Sequence, residues 1–334
     1  MATATPQKPI GSEFGAASTA AEVIRGISLK GKTAIVTGGY SGIGLEAVRV
    51  FVTAGAHVIV PARSRSKADD ALKGLRDVEI ESMELSDPKS VNDFADRFLA
   101  SDRALHILVN NAGIMAPPLQ RDQRGYELQL STNYLGHFQL TVRLLPALRR
   151  AKGARVVSVS SWGHRFSPFH FEDPNFERRE YNPWLGYGQS KTGNILLAVE
   201  VDRRYAKDGV RAFSLHPGGI VETGLVVHVP QAELRAVGAV DENGKPIIDP
   251  DKGFKTVQQG AATTVWCATS PRLEGKGGVY CENVDIAPLA VERSGNVTLG
   301  DSTEQNGVMP YAIDPESAQR LWGLSEKLTG VSAK

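Results

Sequence analysis

Cysteine is nearly absent: the 334 residues include two, Cys267 and Cys281, in no metal-like spacing. That excludes a disulfide-stapled scaffold and a thiolate metal finger, and it fits a reducing compartment. The seven histidines are scattered and form no paired ligand motif, so no metal site is expected. An excess of either charge is also lacking. Lys and Arg number 38 against 37 Asp and Glu, a formal charge of +1, which gives no global field to attract nucleic acid or an anionic membrane. No apolar run approaches the ~20 residues of a membrane span. Residues 1–15 lack the apolar core of a signal peptide, so a cytoplasmic location without a membrane partner is expected. There is no internal repeat, and a chain of this length can bury a sizeable core.

What is present alternates. Residues 1–17, rich in Ala, Thr, Pro, Gly and Ser, are expected to form a flexible arm. Thr19-Ala20-Ala21-Glu22 fits a capping box opening a short helix. Short β-branched runs at 33–37, 57–61, 78–85, 106–110, 155–160 and 210–215 are interleaved with amphipathic helical patterns, beginning with 44–53. Such alternation predicts an α/β fold, a doubly wound parallel sheet with helices on both faces, over 18–334 as one unit.

Two motifs carry chemistry. Thr37-Gly38-Gly39-Tyr40-Ser41-Gly42-Ile43-Gly44 follows the first strand and opens a helix. Gly38, Gly42 and Gly44, lacking side chains, let backbone approach a pyrophosphate seated on the helix N-terminus, with Ser41 beside it and Ile43 packed inward. The second motif is Tyr187-x-x-x-Lys191, whose side chains share one helix face. A free phenol titrates near ~10, and a neighbouring cation favours its phenolate; Lys191 is that cation. Together the motifs point to nicotinamide-dependent redox chemistry. After the second strand the sequence reads Ala62-Arg63-Ser64-Arg65. No carboxylate is there to hold a ribose 2′-hydroxyl, whereas Arg63, with Ser64 or Arg65, suits a 2′-phosphate, which favours NADP(H) over NAD(H). The alternative is a solvated basic loop.

With Asn110-Asn111-Ala112-Gly113, Asn133, Ser160-Ser161 and Pro217-Gly218 followed by Thr223, these motifs fall in an order that resembles the short-chain dehydrogenase/reductase family over 30–288. Asn133-Tyr134-Leu135-Gly136-His137-Phe138 and the late Asp314-Pro315-Glu316 to Leu321-Trp322 stretch resemble its retinol-dehydrogenase-like and WW-domain-oxidoreductase-like branch. The resemblance implies Tyr187 as general acid for carbonyl reduction or base in reverse, Lys191 on the nicotinamide ribose, and Ser161 on the substrate oxygen. It further implies Asn133 as the anchor of a water joining Lys191 to solvent. Asn111, Ala112 and Gly113 would line the adenosine and ribose side, Pro217, Gly218 and Thr223 would embrace the nicotinamide, and Glu84 with Leu85 would meet adenine, where the family often has Asp.

Two long irregular stretches remain, 163–185 and 224–254, which read as substrate loops. The first carries Phe166, Phe169, Phe171, Phe176, Tyr181 and Trp184, which either line a pocket or pack the loop down. In the second, Val226, Val227 and Val229 either form a lid or pack the loop. His216 is read as structural. The expectation is an NADP(H)-dependent reductase of an apolar or aromatic ketone or aldehyde, reversible to the alcohol, acting as monomer or homo-oligomer. The alternative is a cofactor-binding sensor or scaffold with weak catalysis.

Overall fold

The computed structural model describes residues 5–291, 301 and 306–333. The elements run in chain order as α1 (Ala20–Val23), β1 (Thr33–Val36), α2 (Gly42–Thr53), β2 (His57–Ala62), α3 (Arg65–Ala71), β3 (Val78–Ser82), α4 (Pro88–Ala100), β4 (Ile107–Asn110), α5 (Gly136–Arg150), β5 (Ala154–Val159), α6 (Pro183–Tyr205), β6 (Val210–Leu215), α7 (Gln231–Ala236), α8 (Val257–Gly260), α9 (Ala262–Thr269), β7 (Val279–Glu282), β8 (Asp285–Ile286) and α10 (Pro315–Thr329). The strands form one sheet in the order β3-β2-β1-β4-β5-β6-β7-β8. Every pairing is parallel except β7 with β8.

These runs form buried strands because of their side chains. In β1, Ala34 and Val36 face one layer while Ile35 faces the other, as the two-residue pleat requires. One layer packs α1, α2 and α9 against Val58, Val60, Val109, Val157 and Phe213. The other packs α4, α5, α6 and α10 against Ile59, Leu108 and Val156. Both faces are therefore apolar, and each fully buried Leu, Ile or Phe contributes roughly 1.5–3 kcal/mol. Thr19 closes the capping box with Glu22 that its spacing predicts.

Of the arm expected over 1–17, residues 5–17 make hydrogen bonds to the sheet, and residues 1–4 lie outside the described residues. Gln7 Nε2 donates to the carbonyls of Tyr280 (2.8 Å) and Ala287 (2.7 Å), and its Oε1 accepts from Tyr280 N (3.0 Å). Asp285 collects the backbone N–H groups of Ile10, Gly11 and Ser12. A glutamine amide offers the same donor and acceptor as a peptide, so one side chain fastens the segment to the sheet. Composition alone carries no sign of that.

The strand order reverses direction at β1 and β4, which opens a crevice at their carboxyl ends. The Gly-rich turn, the loop after β4 and the ends of β5 and β6 all empty into it.

Candidate active site

A cleft of about 570 Å³ lies at that crevice. Its first wall is the Gly-rich turn. Gly38 and Gly42 adopt φ of +65° and +50°, values that L-residues rarely take. A Cβ on Gly44 would stand 2.5 Å from both Asn111 Nδ2 and Gly38 O, so only glycine lets this turn close. Thr37 Oγ1 accepts from the N–H groups of Asn111 (2.9 Å) and Ala112 (3.0 Å), and Asn111 Nδ2 donates to Thr37 O (2.9 Å). Asn111 thus serves as the brace of the turn. Ser41 occupies the N-cap of α2 with no capping bond from its side chain, and the helix N-terminus behind it faces the cleft. Ile43 is half-buried between this turn and Gly260.

At the far end lie Arg63, Ser64, Met83, Glu84 and Leu85. Arg63 is exposed and has no hydrogen-bond or ion-pair partner among the described residues. Arg65 does not join it, because its guanidinium is held by Asp69 (3.2 Å) and Ile80 O (2.9 Å). Lys67 lines this end instead. Sequence reasoning missed it, although its spacing of four from Arg63 was a usable signal. Glu84 enters with one oxygen already accepting from Ser86 N (3.1 Å) and Oγ (3.0 Å).

The third wall brings together Ser161, Tyr187 and Lys191, from the end of β5 and from α6. Asn182 caps α6 through Trp184 N (2.9 Å), with Pro183 next in line, so the helix starts just before Tyr187. Tyr187 and Lys191 are each only 3% exposed, with the ammonium 5.6 Å from the ring centroid. Lys191 Nζ donates to Val159 O at 3.1 Å. Burial pushes the Tyr187 phenol up to about 12, against the pull of its hydrogen bond with Ser161. The phenol is raised rather than lowered, because its burial outweighs the neighbouring cation. The Lys191 ammonium sits over the ring and is itself pushed down to about 8 by burial. Ser161 Oγ also accepts from Gly163 N (3.0 Å).

Asn133 lies in a π-helical turn, Leu130–Leu135, fully buried behind Gly113. Its side chain bonds both backbone groups of Ile114 (2.9 and 3.0 Å) and Ser190 Oγ (2.9 Å), which fixes the loop after β4 to α6. Its carbonyl accepts from His137 Nδ1 (2.9 Å), whose Nε2 meets Thr37 Oγ1 (2.9 Å). Burial lowers His137 to about 4, so it stays neutral and links this turn to the Gly-rich one.

Pro217, Gly218 and Thr223 close the cleft from above. Thr223 Cγ2 would lie 2.9 Å from a Cβ on Gly42, so this loop rests directly on the Gly-rich turn. His216 accepts from Trp162 N (3.0 Å), and burial holds it at about 3. It is buttress rather than acid.

The aromatics of 163–185 divide. Phe166 and Trp184 line the cleft, with centroids 5.4 Å apart and Trp184 6.3 Å from Tyr187. Phe169 packs into the core with Phe171 half-buried against it, and Phe176 meets Tyr181 edge-to-face. Trp162, directly after Ser161 and unremarked in sequence reasoning, adds a third cleft ring. In the second loop, Val226 and Val229 line the cleft with Leu234 and Phe254, whereas Val227 points to solvent at 73% exposure. A small cluster of Val229, Leu234, Ala239, Val240 and Phe254 holds that loop down. Among the described residues no cluster of His, Cys, Asp or Glu could hold a metal, and no helix is long and apolar enough to cross a membrane.

A parallel sheet with glycines at its switch point, facing a Ser, Tyr and Lys triplet, is the architecture of the short-chain dehydrogenases, and residues 32–234 match the short chain dehydrogenase family. The chain belongs to that family and is an oxidoreductase by class. The "Probable oxidoreductase" of Streptomyces lividans is 44% identical over 302 residues, covering 89% of this chain and 97% of that one. The WW domain-containing oxidoreductase of Gallus gallus is 35% identical over 96% of this chain and 73% of its own. Among solved structures, an uncharacterised protein from Mycobacterium paratuberculosis superposes with a TM-score of 0.69 at 31% identity, over 93% of this chain and 98% of that one.

Proposed function

We propose that this protein is an NADP(H)-dependent reductase of apolar or aromatic ketones and aldehydes, reversible toward the alcohol, with Tyr187 as its proton donor. The observation that carries the reading is that Ser161, Tyr187 and Lys191 open into the same cleft as the Gly-rich turn. The cleft residues suit a dinucleotide phosphate. A Cβ would fill the cradle at Gly44, and α2 presents uncapped N–H groups toward it. Arg63, Ser64 and Lys67 would hold the 2′-phosphate. Leu85 and Glu84 would flank adenine, Ala112 and Gly113 the ribose, and Pro217, Gly218 and Thr223 the nicotinamide. When bound, NADPH supplies the hydride that, with one proton, turns a carbonyl into an alcohol.

The remaining steps belong to this chain. Ser161 donates a hydrogen bond to the substrate oxygen, and Tyr187 Oη delivers the proton to it. A phenol pushed up to about 12 holds its proton firmly until negative charge develops on the oxygen facing it. Lys191 meets the cofactor ribose and returns positive charge to the phenolate left behind. Asn133 keeps the loop after β4 registered on α6. Trp162, Phe166 and Trp184 offer flat apolar faces to the substrate and shield the proton transfer from water. The proposal extends to 18–334 acting as one unit in the cytoplasm.

The test is a panel of small, aliphatic and aromatic carbonyls with NADPH, monitored by loss of nicotinamide absorbance. Turnover is expected, fastest with bulky uncharged substrates. Cofactor binding without turnover on any member would transfer support to the sensor or scaffold.

A further inference from the structure

His164 is fully buried, three residues past Ser161, and nothing in the proton-transfer scheme uses it. Its Nδ1 donates to Ser161 O (2.8 Å), and its Nε2 accepts from Met309 N (3.1 Å). Those two bonds require one neutral tautomer, and burial maintains it by holding the ring at about 3. Its ring packs 5.2 Å from Tyr280 of β7. The carbonyl of the same residue accepts from Thr192 Oγ1 (3.1 Å), next to Lys191 on α6, and from Tyr311 Oη (2.8 Å). Alongside, the Arg165 guanidinium donates to Gly307 O (3.0 Å) and to Asn306 O, while Gly307 N donates to Glu282 of β7 (2.8 Å). Residues 306–312 therefore stand against the back of the turn Trp162–Phe166, whose front carries Ser161. They lie beyond the 32–234 stretch that matches the family.

We propose that His164, backed by residues 306–312, is a positioning residue that sets the distance between the Ser161 hydroxyl and Tyr187. The C-terminal segment is thereby part of the active site without touching substrate. Ser161 Oγ is aimed by its own backbone, and His164 grips that backbone at residue 161 while its carbonyl is tied to the helix bearing Tyr187 and Lys191. Losing the grip lets the turn shift, and misplacement of a reacting group by an ångström can cost up to about a hundredfold in rate.

This inference rests on the reductase reading, and the test separates the two. His164→Phe keeps a buried ring and removes both ring bonds, whereas His164→Gln can restore one donor and one acceptor. Tyr311→Phe removes one hydroxyl. With wild-type turnover established, His164→Phe is expected to lower kcat by about tenfold or more while KM for NADPH stays within about twofold, because the phosphate end is untouched. His164→Gln should recover most of the rate, and Tyr311→Phe should lose about threefold. Amide hydrogen exchange gives a readout independent of turnover: the Gly163 N–H, held by Ser161 Oγ, should exchange faster in His164→Phe with global melting nearly unchanged. Wild-type kcat with unchanged Gly163 protection in a folded variant would overturn the proposal. Should wild type turn over no carbonyl, the functional reading fails and Gly163 exchange alone decides this one. If His164→Phe does not fold, Tyr311→Phe decides by the same two measurements.

Discussion

Replacing Arg63 by Ala is the sharpest test of coenzyme choice. Arg63 is exposed, lines the far end of the cleft and has no internal partner among the described residues, so its removal should leave the fold alone. A charge-assisted hydrogen bond is worth roughly 1.5–3 kcal/mol, and solvent exposure argues for the low end. At about 1.4 kcal/mol per decade, the loss is about tenfold in KM for NADPH. Lys67 is a more flexible, equally exposed cation, for which about threefold is expected. Because both would serve one phosphate, the double variant should fall short of the product of the two. Kinetics with NADPH and NADH on the same carbonyl, at fixed ionic strength, provide the assay. NADH, lacking the phosphate, should be unaffected by either change. Equal losses with both coenzymes, or a wild type that favours NADH tenfold, would refute the reasoning.

Tyr187→Phe should lower kcat by about 10²–10⁴-fold while leaving NADPH affinity within about twofold, measured by nicotinamide fluorescence; a near-normal rate would remove Tyr187 as proton donor. Gly44→Ala must displace Asn111 or the peptide of Gly38, at about 1–3 kcal/mol, so both the melting temperature and NADPH binding should fall, and unchanged binding would contradict the cradle. Stability should rise from pH 8 to 9. Burial lowers Lys191 and Lys255 to about 8 from 10.5, so the cost of both buried cations is complete below pH 8 and is relieved as the folded protein releases protons that the unfolded chain still holds. Each lysine contributes about 1 kcal/mol over that unit. Denaturant midpoints should therefore climb, and the climb should be about halved in Lys255→Met; a flat profile in the wild type counts against the burial argument.

The sheet was legible where strands are buried on both faces. Runs such as Ala34-Ile35-Val36 admit few other homes, and the Gly-rich turn is marked out by the strand before it and the helix after it. β7 and β8 escaped notice because four residues and two residues, Val279–Glu282 and Asp285–Ile286, are too short to establish a pattern. Ser161, Tyr187 and Lys191 line the same cleft as Gly38, Ser41 and Gly42, whereas Asn133 lies behind it. The direction of the Tyr187 shift did not follow from spacing, because it depends on how completely the protein encloses the phenol. Likewise the aromatics of 163–185 could not be sorted along the chain. Phe166 and Phe169 are three residues apart, yet one faces the cleft and the other Tyr134 of the π-helical turn.

The glutamine at position 7 has an implication for handling the protein. Where β7 and β8 leave their ladder, its amide occupies the Tyr280 N–H and the Ala287 carbonyl, which would otherwise stand open at the margin of the sheet, and shares the Tyr280 carbonyl with Ala287 N. Open peptide groups of that kind are templates for a neighbouring chain. A shortened form starting after residue 17, trimmed for what looks like a dispensable leader, would uncover that seam and turn a quiet border into a sticky one.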